Sequence, residues 1–227
     1  MHIVLVHGAG GSDRSWSLVT PLLDAEGIPY SVADNPSQSL ADDVATVTAM
    51  IDAADDDVLL VGHSYGGAVI TNAGNHDRVR GLVYVAAFAT DEGEAISDIA
   101  DRYPPAEVAS FMTRGPNGEW IGEDSEASRL ALAWDVPDEI WANRHADNRV
   151  SADAIFTETT GRPAWASRPA WYLLATQDKH MPPGAQRDMA ERAGATVEEV
   201  DTSHAVPHAA PERVVAIIGR AVESIGA

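Results

Sequence analysis

Short apolar runs of four to eight residues recur along the first ninety residues of the chain. They are rich in Val, Ile and Leu, and turn-forming residues such as Gly8, Asp34 and Gly62 follow most of them. This pattern is typical of buried β-strands that are covered on both faces. The predicted strands are His2–Val6, Ile28–Ala33, Val58–Val61 and Arg80–Ala87.

Amphipathic stretches separate these strands. In the first of them, Asp13 is a suitable N-cap and Gly27 a suitable stop for a helix. Leu40–Ala54 carries apolar residues at helical spacing, and a third helix is predicted over Ser64–Gly74. Strands that alternate with helices in this way form βαβ units and a parallel sheet.

The alternation stops between residues 91 and 167, where Pro104-Pro105 and Gly115-Pro116-Asn117-Gly118 interrupt helical pieces without a clear buried strand. We interpret 91–167 as a lid inserted into a core formed by 1–90 and 168–227. The alternation of strands and helices then resumes. Strands are predicted at Ala170–Ala175 and Thr196–Val200, and helices at Pro183–Ala193 and Pro211–Ser224. The sequence therefore predicts an α/β fold, with a doubly wound, mostly parallel six-stranded sheet and a helical lid insertion.

A Gly-x-Ser-x-Gly motif, Gly62-His63-Ser64-Tyr65-Gly66, joins a predicted strand to a predicted helix. A serine at such a sharp turn has a strained backbone and needs small residues two positions before and two after it. Gly62 and Gly66 supply them, so the Ser64 hydroxyl would project above the sheet as a nucleophile. The alternative is a glycine-rich turn with an idle serine, and the position directly after a buried strand disfavours it.

A serine hydroxyl needs a base to become a nucleophile, and the base needs an acid to orient it. His204 follows the last predicted strand, and Asp178 follows the strand before it. Both lie at carboxyl ends of strands, where ligands bind in open α/β sheets. We predict Ser64 as nucleophile, Asp178 as orienting acid and His204 as base, in the chain order that this kind of hydrolase requires.

Asp91 competes with Asp178 for the role of the acid, because it follows the fourth predicted strand. The other histidines have weaker positions than His204. His208 falls at the start of the last helix, His63 lies inside the turn and points away, and His180 and His145 lie in loops away from a strand end.

The loop His7-Gly8-Ala9-Gly10-Gly11 follows the first strand and allows two interpretations. In one, the backbone N–H groups of Ala9 and Tyr65 form an oxyanion hole for a developing alkoxide. In the other, Gly8 and Gly10 begin a dinucleotide-binding fingerprint. The third glycine of that fingerprint would fall at position 13, where Asp13 would repel a pyrophosphate, so the nucleotide interpretation is disfavoured.

The amino-acid composition excludes several kinds of site and binding partner. Cysteine is absent, which excludes disulfides, a thiol nucleophile and thiolate metal sites. Asp and Glu total 35 against 15 Lys and Arg, a net charge of -20 that repels phosphate backbones and anionic bilayers. No apolar run approaches the ~18 residues of a membrane span, and the N-terminus shows no basic leader. We expect a cytoplasmic protein without nucleic-acid or membrane partners.

The loop at Gly8, the motif around Ser64, Asp178 and Ser203-His204 together resemble the α/β-hydrolase superfamily. More narrowly, they resemble the compact esterase branch that includes plant methylesterases and hydroxynitrile lyases. The resemblance implies a sheet that lacks the first two strands of the superfamily, and oxyanion N–H groups at Ala9 and Tyr65. Related lyases carry Thr where this chain has Gly8 and Lys where it has Ala205, and both departures favour ester hydrolysis.

The sequence thus predicts a serine carboxylester hydrolase without a cofactor, monomeric or homodimeric, that acts on small to medium acyl esters. The alternatives are a cofactor-free lyase or other chemistry of the same fold, such as that of an oxygen-using relative, and a non-catalytic ligand-binding protein. Four apolar lid residues are candidates for lining the substrate pocket, although they could instead only pack the lid onto the sheet: Met112, Trp120, Trp134 and Trp141.

Overall fold

The strands that the sequence predicts are present and form one sheet. In chain order the strands are β1 (His2–Val6), β2 (Tyr30–Val32), β3 (Val58–His63), β4 (Val79–Val85), β5 (Met112–Arg114), β6 (Trp120–Gly122), β7 (Ala170–Ala175) and β8 (Thr196–Val200). Six of them pair in the order β2-β1-β3-β4-β7-β8, and every neighbouring pair is parallel. The predicted six-stranded parallel sheet is confirmed.

The structure is a computed structural model that describes residues 1–145 and 149–226, with the backbone alone at 144 and 145. Its α-helices are α1 (Thr20–Glu26), α2 (Leu40–Ala53), α3 (Gly66–Ala73), α4 (Ile96–Ala100), α5 (Glu126–Ala133), α6 (Asp138–His145), α7 (Ala154–Thr157), α8 (Pro183–Arg192), α9 (Val206–Ala209) and α10 (Pro211–Gly226). Within the described ranges, no helix is long and apolar enough to cross a bilayer.

Helices cover both faces of the sheet because side chains of each strand alternate between the faces. On one face, Val4, Leu60 and Tyr172 pack against residues of α2, α3 and α8. On the other, Leu5 and Val61 pack against residues of α1 and α10. This doubly wound arrangement brings the carboxyl ends of all six strands to one edge of the sheet.

The single helix predicted from Asp13 to Gly27 is wrong. A 3-10 helix spans Asp13–Trp16, and its N-cap is Ser12, not Asp13. α1 begins separately at Thr20 with Pro21 in its first turn, and Gly27 ends it at a φ of 66°. Proline lacks an N–H and favours the first turn of a helix, so the chain restarts there.

The predicted insertion is not purely helical. Besides α4 to α7, residues 91–167 contain β5 and β6, which pair antiparallel. The turn between them places Gly118 at a φ of 84° and is closed by the N–H of Gly115 donating to the carbonyl of Glu119 at 2.8 Å. The Gly-Pro-Asn-Gly segment that indicated a break is therefore part of a short hairpin.

Candidate active site

Ser64 lies in the sharp turn between β3 and α3. Its φ is 54°, in the left-handed region that non-glycine residues rarely adopt. Backbone hydrogen bonds hold it there: the Ser64 carbonyl accepts from the N–H groups of Gly67 at 3.0 Å and Phe88 at 3.1 Å. The turn is thus strained at the residue predicted to be the nucleophile, which is where strain accompanies function.

Gly62 and Gly66 leave no room for a side chain. A Cβ atom at Gly62 would lie 2.5 Å from the carbonyl oxygen of Gly66. One at Gly66 would overlap the carbonyl oxygen of Val6 and lie 2.8 Å from that of His7. Both clashes are with backbone atoms, which cannot rotate away, so the motif needs glycine at both positions.

Gly66→Ala is therefore expected to destabilise the fold. Overpacking of this kind costs about 1–3 kcal/mol, which lowers Tm by roughly 2–12 °C in a domain of this size. Gly219→Ala is the matched control, because a Cβ atom at Gly219 in α10 would meet nothing within 4 Å. Thermal unfolding of both variants checks this, and an unchanged Tm in Gly66→Ala would contradict the packing described here.

Asp178 and His204 are in direct contact. Asp178 Oδ2 accepts a hydrogen bond from His204 Nδ1 at 2.6 Å, and both side chains are almost completely buried. The other bonds to the carboxylate come from the backbone N–H groups of His180 and Met181, each at 2.8 Å, and from Gln186 Nε2 at 2.9 Å. The carboxylate is fixed by four donors, so it can fix the orientation of the imidazole.

Burial dominates the electrostatics of Asp178. It raises the pKa of the carboxyl to about 7, against the opposing effects of His180 and of the hydrogen bonds from Met181, His180 and Gln186. Asp178 and His204 form one buried, hydrogen-bonded unit. The arrangement can accept and return one proton.

Two further histidines surround His204, and the sequence did not assign them to the site. His63 Nε2 donates to the carbonyl of His204 at 2.9 Å, with the ring centroids 5.0 Å apart. His180 meets the His204 ring edge-on, with centroids 4.4 Å apart. Burial, and then the neighbouring His204, lower the pKa of His180 to about 3. His63 does not point away from the site, and it links the His204 loop to the turn of Ser64.

The loop after β1 lies against Ser64. A Cβ atom at Gly8 would be 3.0 Å from Ser64 Cβ and 3.5 Å from Ser64 Oγ. Among the residues that the structure describes, the backbone N–H groups of Ala9 and Tyr65 have no hydrogen-bond acceptor. Two unengaged donors flank the serine, as an oxyanion hole requires.

The competing candidates lie elsewhere. Asp91 accepts from the N–H of Glu92 at 2.7 Å, and its own N–H donates to Glu94, so its described bonds stay within its own turn. His208 belongs to the separate helix α9, not to the last helix, and its Nε2 lies 3.2 Å from the carbonyl oxygen of Arg14. The side chain of His145 lies outside the described residues.

The four candidate lid residues divide into two pairs. Trp134 is 42% exposed and lines a cleft with Asp178 and Lys179. Trp141 packs in a small cluster with Ala205, the residue after His204. Met112 and Trp120 lie on the hairpin of β5 and β6, where Trp120 Nε1 donates to Asp153 at 3.1 Å. Their contact with a substrate stays a prediction.

Within the described part of the chain, no group of three or more His, Asp or Glu side chains could hold a metal ion. The structure places together a strained serine, a buried Asp–His pair and two backbone N–H groups without an acceptor among the described residues, at the carboxyl edge of a parallel sheet. This is the arrangement of α/β hydrolases. A family model described as "Alpha/beta hydrolase family" matches residues 3–217, and the chain belongs to that family.

Relatives of similar length include salicylic acid-binding protein 2 of Nicotiana tabacum, 26% identical over 86% of each chain. The pyrethroid hydrolase of Sphingobium wenxiniae is 26% identical over 93% of this chain and 84% of its own. Other alignments are partial. Methylesterase 2 of Arabidopsis thaliana is 30% identical, but the match spans 51% of it, and a carbendazim hydrolyzing esterase of Nocardioides is 40% identical over 26% of its length.

Solved structures share the fold. The pyrethroid hydrolase from Sphingobium faniae superposes with a TM-score of 0.86, over 97% of this chain and 96% of that one, at 23% identity. Polyneuridine aldehyde esterase gives 0.81 over 96% and 97%, at 18% identity. The chain is thus an α/β hydrolase, and its matched relatives include named esterases.

Proposed function

We propose that this protein is a serine carboxylester hydrolase acting on small to medium acyl esters through an acyl-enzyme intermediate. The observation that carries the proposal is the buried 2.6 Å hydrogen bond between Asp178 and His204. The hydrogen bond from His63 to the His204 carbonyl joins this pair to the strained turn of Ser64. A nucleophile, a base and an orienting acid then share one edge of the sheet.

In the acylation step, Ser64 Oγ attacks the ester carbonyl carbon while His204 Nε2 takes the hydroxyl proton. The negative charge that develops on the carbonyl oxygen is stabilised by the N–H groups of Ala9 and Tyr65, at about 10²–10³ in rate per donor. The tetrahedral intermediate collapses, and His204 returns the proton to the departing alcohol. Asp178 stabilises the imidazolium and holds its tautomer throughout.

In the deacylation step, a water molecule gives a proton to His204 and attacks the acyl carbon. Collapse of the second tetrahedral intermediate releases the carboxylic acid and returns the proton to Ser64. All groups that these steps require belong to the chain, so no cofactor is needed.

Gly8 favours hydrolysis over lyase chemistry. Any side chain at this position would lie against Ser64, because even a Cβ atom would be 3.0 Å from Ser64 Cβ. The glycine therefore brings no additional hydroxyl to the nucleophile, unlike the threonine of the related lyases. The names of the relatives, which include a methylesterase and a pyrethroid hydrolase, also support an ester substrate.

A screen of p-nitrophenyl esters of graded acyl length tests the proposal. We expect saturable hydrolysis that Ser64→Ala abolishes and a cyanohydrin assay that releases no cyanide. Cyanide release without ester hydrolysis would make the protein a lyase, and inertness in both assays together with inertness toward a fluorophosphonate would make it a binding protein.

The ester-hydrolysis rate is expected to rise with pH through one ionisation. Only a neutral His204 can accept the serine proton, and protonation of the Asp178–His204 pair at low pH removes that capacity. His180 stays neutral throughout the accessible range, because its pKa is lowered to about 3. The pH profile of kcat/KM checks this expectation.

His208→Ala is the control for that profile, since the described hydrogen bond of His208 Nε2 is to the carbonyl of Arg14, whereas Asp178 is the described hydrogen-bond partner of His204 Nδ1. It should retain the wild-type profile, whereas His204→Ala should be inactive at every pH. Loss of the profile in His208→Ala, with His204→Ala still active, would show that His204 is not the base.

A further inference from the structure

Asp43 is a carboxylate on α2 with none of its surface exposed, and the mechanism above does not use it. Its Oδ2 accepts from the hydroxyl of Tyr65 at 2.6 Å, and its Oδ1 accepts from the backbone N–H of Ser37 at 3.0 Å. Buried carboxyl groups are costly unless their oxygens are paired. Burial raises the pKa of Asp43, against the opposing effects of the Tyr65 and Ser37 hydrogen bonds.

One hydrogen-bond partner of Asp43, Tyr65, carries the first N–H donor of the proposed oxyanion hole. Tyr65 carries that N–H on its backbone, at the N-terminus of α3, and its ring is 1% exposed. The hydrogen bond to Asp43 anchors the far end of the ring on α2. The tyrosine is thus held at both ends, by the strained turn and by the carboxylate.

The other hydrogen-bond partner of Asp43, Ser37, bonds to the loop that carries the second donor, the N–H of Ala9. Ser37 is completely buried and has a φ of 58°, a left-handed conformation for a non-glycine residue. Its Oγ accepts from the N–H of Gly10 at 3.1 Å, and the carbonyl of Gly10 accepts from the N–H of Arg149 at 2.8 Å. Ser37 therefore holds the loop that carries Ala9.

We propose that Asp43 is a positioning residue for the oxyanion hole, because it joins Tyr65 to Ser37 through two buried hydrogen bonds, and a third, from Gly10 to Ser37, completes the link to the Gly8–Gly11 loop. The inference rests on the proposed function. Ala9 and Tyr65 come from different βα turns, and nothing in the covalent chain fixes their separation. The pairing of β1 with β3 brings the two turns together, and the link through Asp43, Ser37 and Gly10 adds the side-chain bonds that hold Tyr65 and the Ala9 loop in fixed relative positions. Oxyanion donors act only when they are held at hydrogen-bond distance from the developing charge.

Tyr65→Phe removes the hydroxyl contact and keeps the ring and the backbone N–H. We expect kcat on a p-nitrophenyl ester to fall about tenfold, less than the 10²–10³ for loss of a whole donor. KM should change less than about threefold, because acylation and deacylation both use the hole and slow together. Affinity for an alkyl trifluoromethyl ketone, whose adduct with Ser64 carries the oxyanion, should fall in parallel with kcat.

Asp43 variants test the same link from its other end. Asp43→Ala removes the Ser37 contact as well as the Tyr65 contact, so its loss should be at least that of Tyr65→Phe. The double variant should lose little more than Asp43→Ala alone, because Asp43→Ala already removes the contact that Tyr65→Phe removes. Asp43→Asn keeps an oxygen for the Ser37 N–H and an amide for the Tyr65 hydroxyl, so it should restore most of the activity. If Asp43→Ala fails to fold, Tyr65→Phe and Asp43→Asn still test whether Asp43 positions the oxyanion hole.

Tyr84→Phe is the matched control. Tyr84 is also completely buried, and its hydroxyl also bonds to a residue of α3, Thr71, at 2.9 Å, but that bond is to neither Tyr65 nor the loop that carries Ala9. It should lower Tm and leave kcat and the ketone affinity unchanged. The inference would be overturned if Tyr65→Phe left kcat and ketone affinity unchanged, or if Tyr84→Phe lost as much of both as Tyr65→Phe. Either result would leave the proposed ester hydrolase activity intact. A wild-type protein that hydrolyses no ester would overturn both.

Discussion

Ser64→Ala is expected to lower kcat/KM for a p-nitrophenyl ester by about 10⁴-fold or more, with little change in Tm. Without the hydroxyl no acyl-enzyme can form, and the residual rate comes only from binding and the oxyanion hole. The fold should survive, because alanine removes one oxygen atom and leaves the backbone bonds that hold the turn. Steady-state kinetics and thermal unfolding on the same preparation measure both effects.

Ser167→Ala serves as the control for serine loss, since the Ser167 hydroxyl bonds only the nearby carbonyl of Ala164 among the described residues. It should hydrolyse the ester at the wild-type rate. Activity of Ser64→Ala within tenfold of wild type would end the assignment of the nucleophile, whatever the control does.

Asp178→Asn is expected to lower kcat/KM by about 10⁴-fold. An asparagine side chain can hold the imidazole in the wrong tautomer and cannot stabilise the imidazolium, and in a serine protease this exchange costs about that factor. The site makes the effect severe, because Asp178 meets four donors and its replacement would turn an amide N–H toward one of them.

Asp91→Asn is the matched comparison, because Asp91 is the other aspartate that follows a strand and its described hydrogen bonds stay within its own turn. Its kcat/KM should change by no more than about tenfold, as expected of a loop residue outside the site. A larger loss in Asp91→Asn than in Asp178→Asn would transfer the role of the acid to Asp91 and leave Ser64 and His204 as nucleophile and base.

The strands of the sheet could be predicted because their apolar runs are buried on both faces. β1, β7 and β8 have the predicted bounds, and β3 extends the predicted run by two residues, into the motif itself. The adjacency of Asp178 and His204 followed from the same reasoning, since β7 and β8 are neighbours and their following loops share one edge. Buried parallel strands fix both the fold and the meeting place of the loops after them.

Other features carry no such local signal. β5 and β6 are three residues long and mostly exposed, so neither alternation nor a buried run marks them. His180 and Asp43 each look like ordinary loop or surface residues in the sequence. Their places next to His204 and Tyr65 depend on how separate segments pack, and spacing along the chain does not encode that packing.

The most direct test of the central claim is mass-spectrometric mapping of the protein after treatment with a fluorophosphonate. A serine activated by His204 and flanked by the Ala9 and Tyr65 donors should be phosphonylated stoichiometrically, with ester hydrolysis lost in proportion. We expect the modification at Ser64 alone, and none in Ser64→Ala or His204→Ala. Undiminished ester hydrolysis in protein modified at Ser64, or stoichiometric labelling at another serine, would contradict the account.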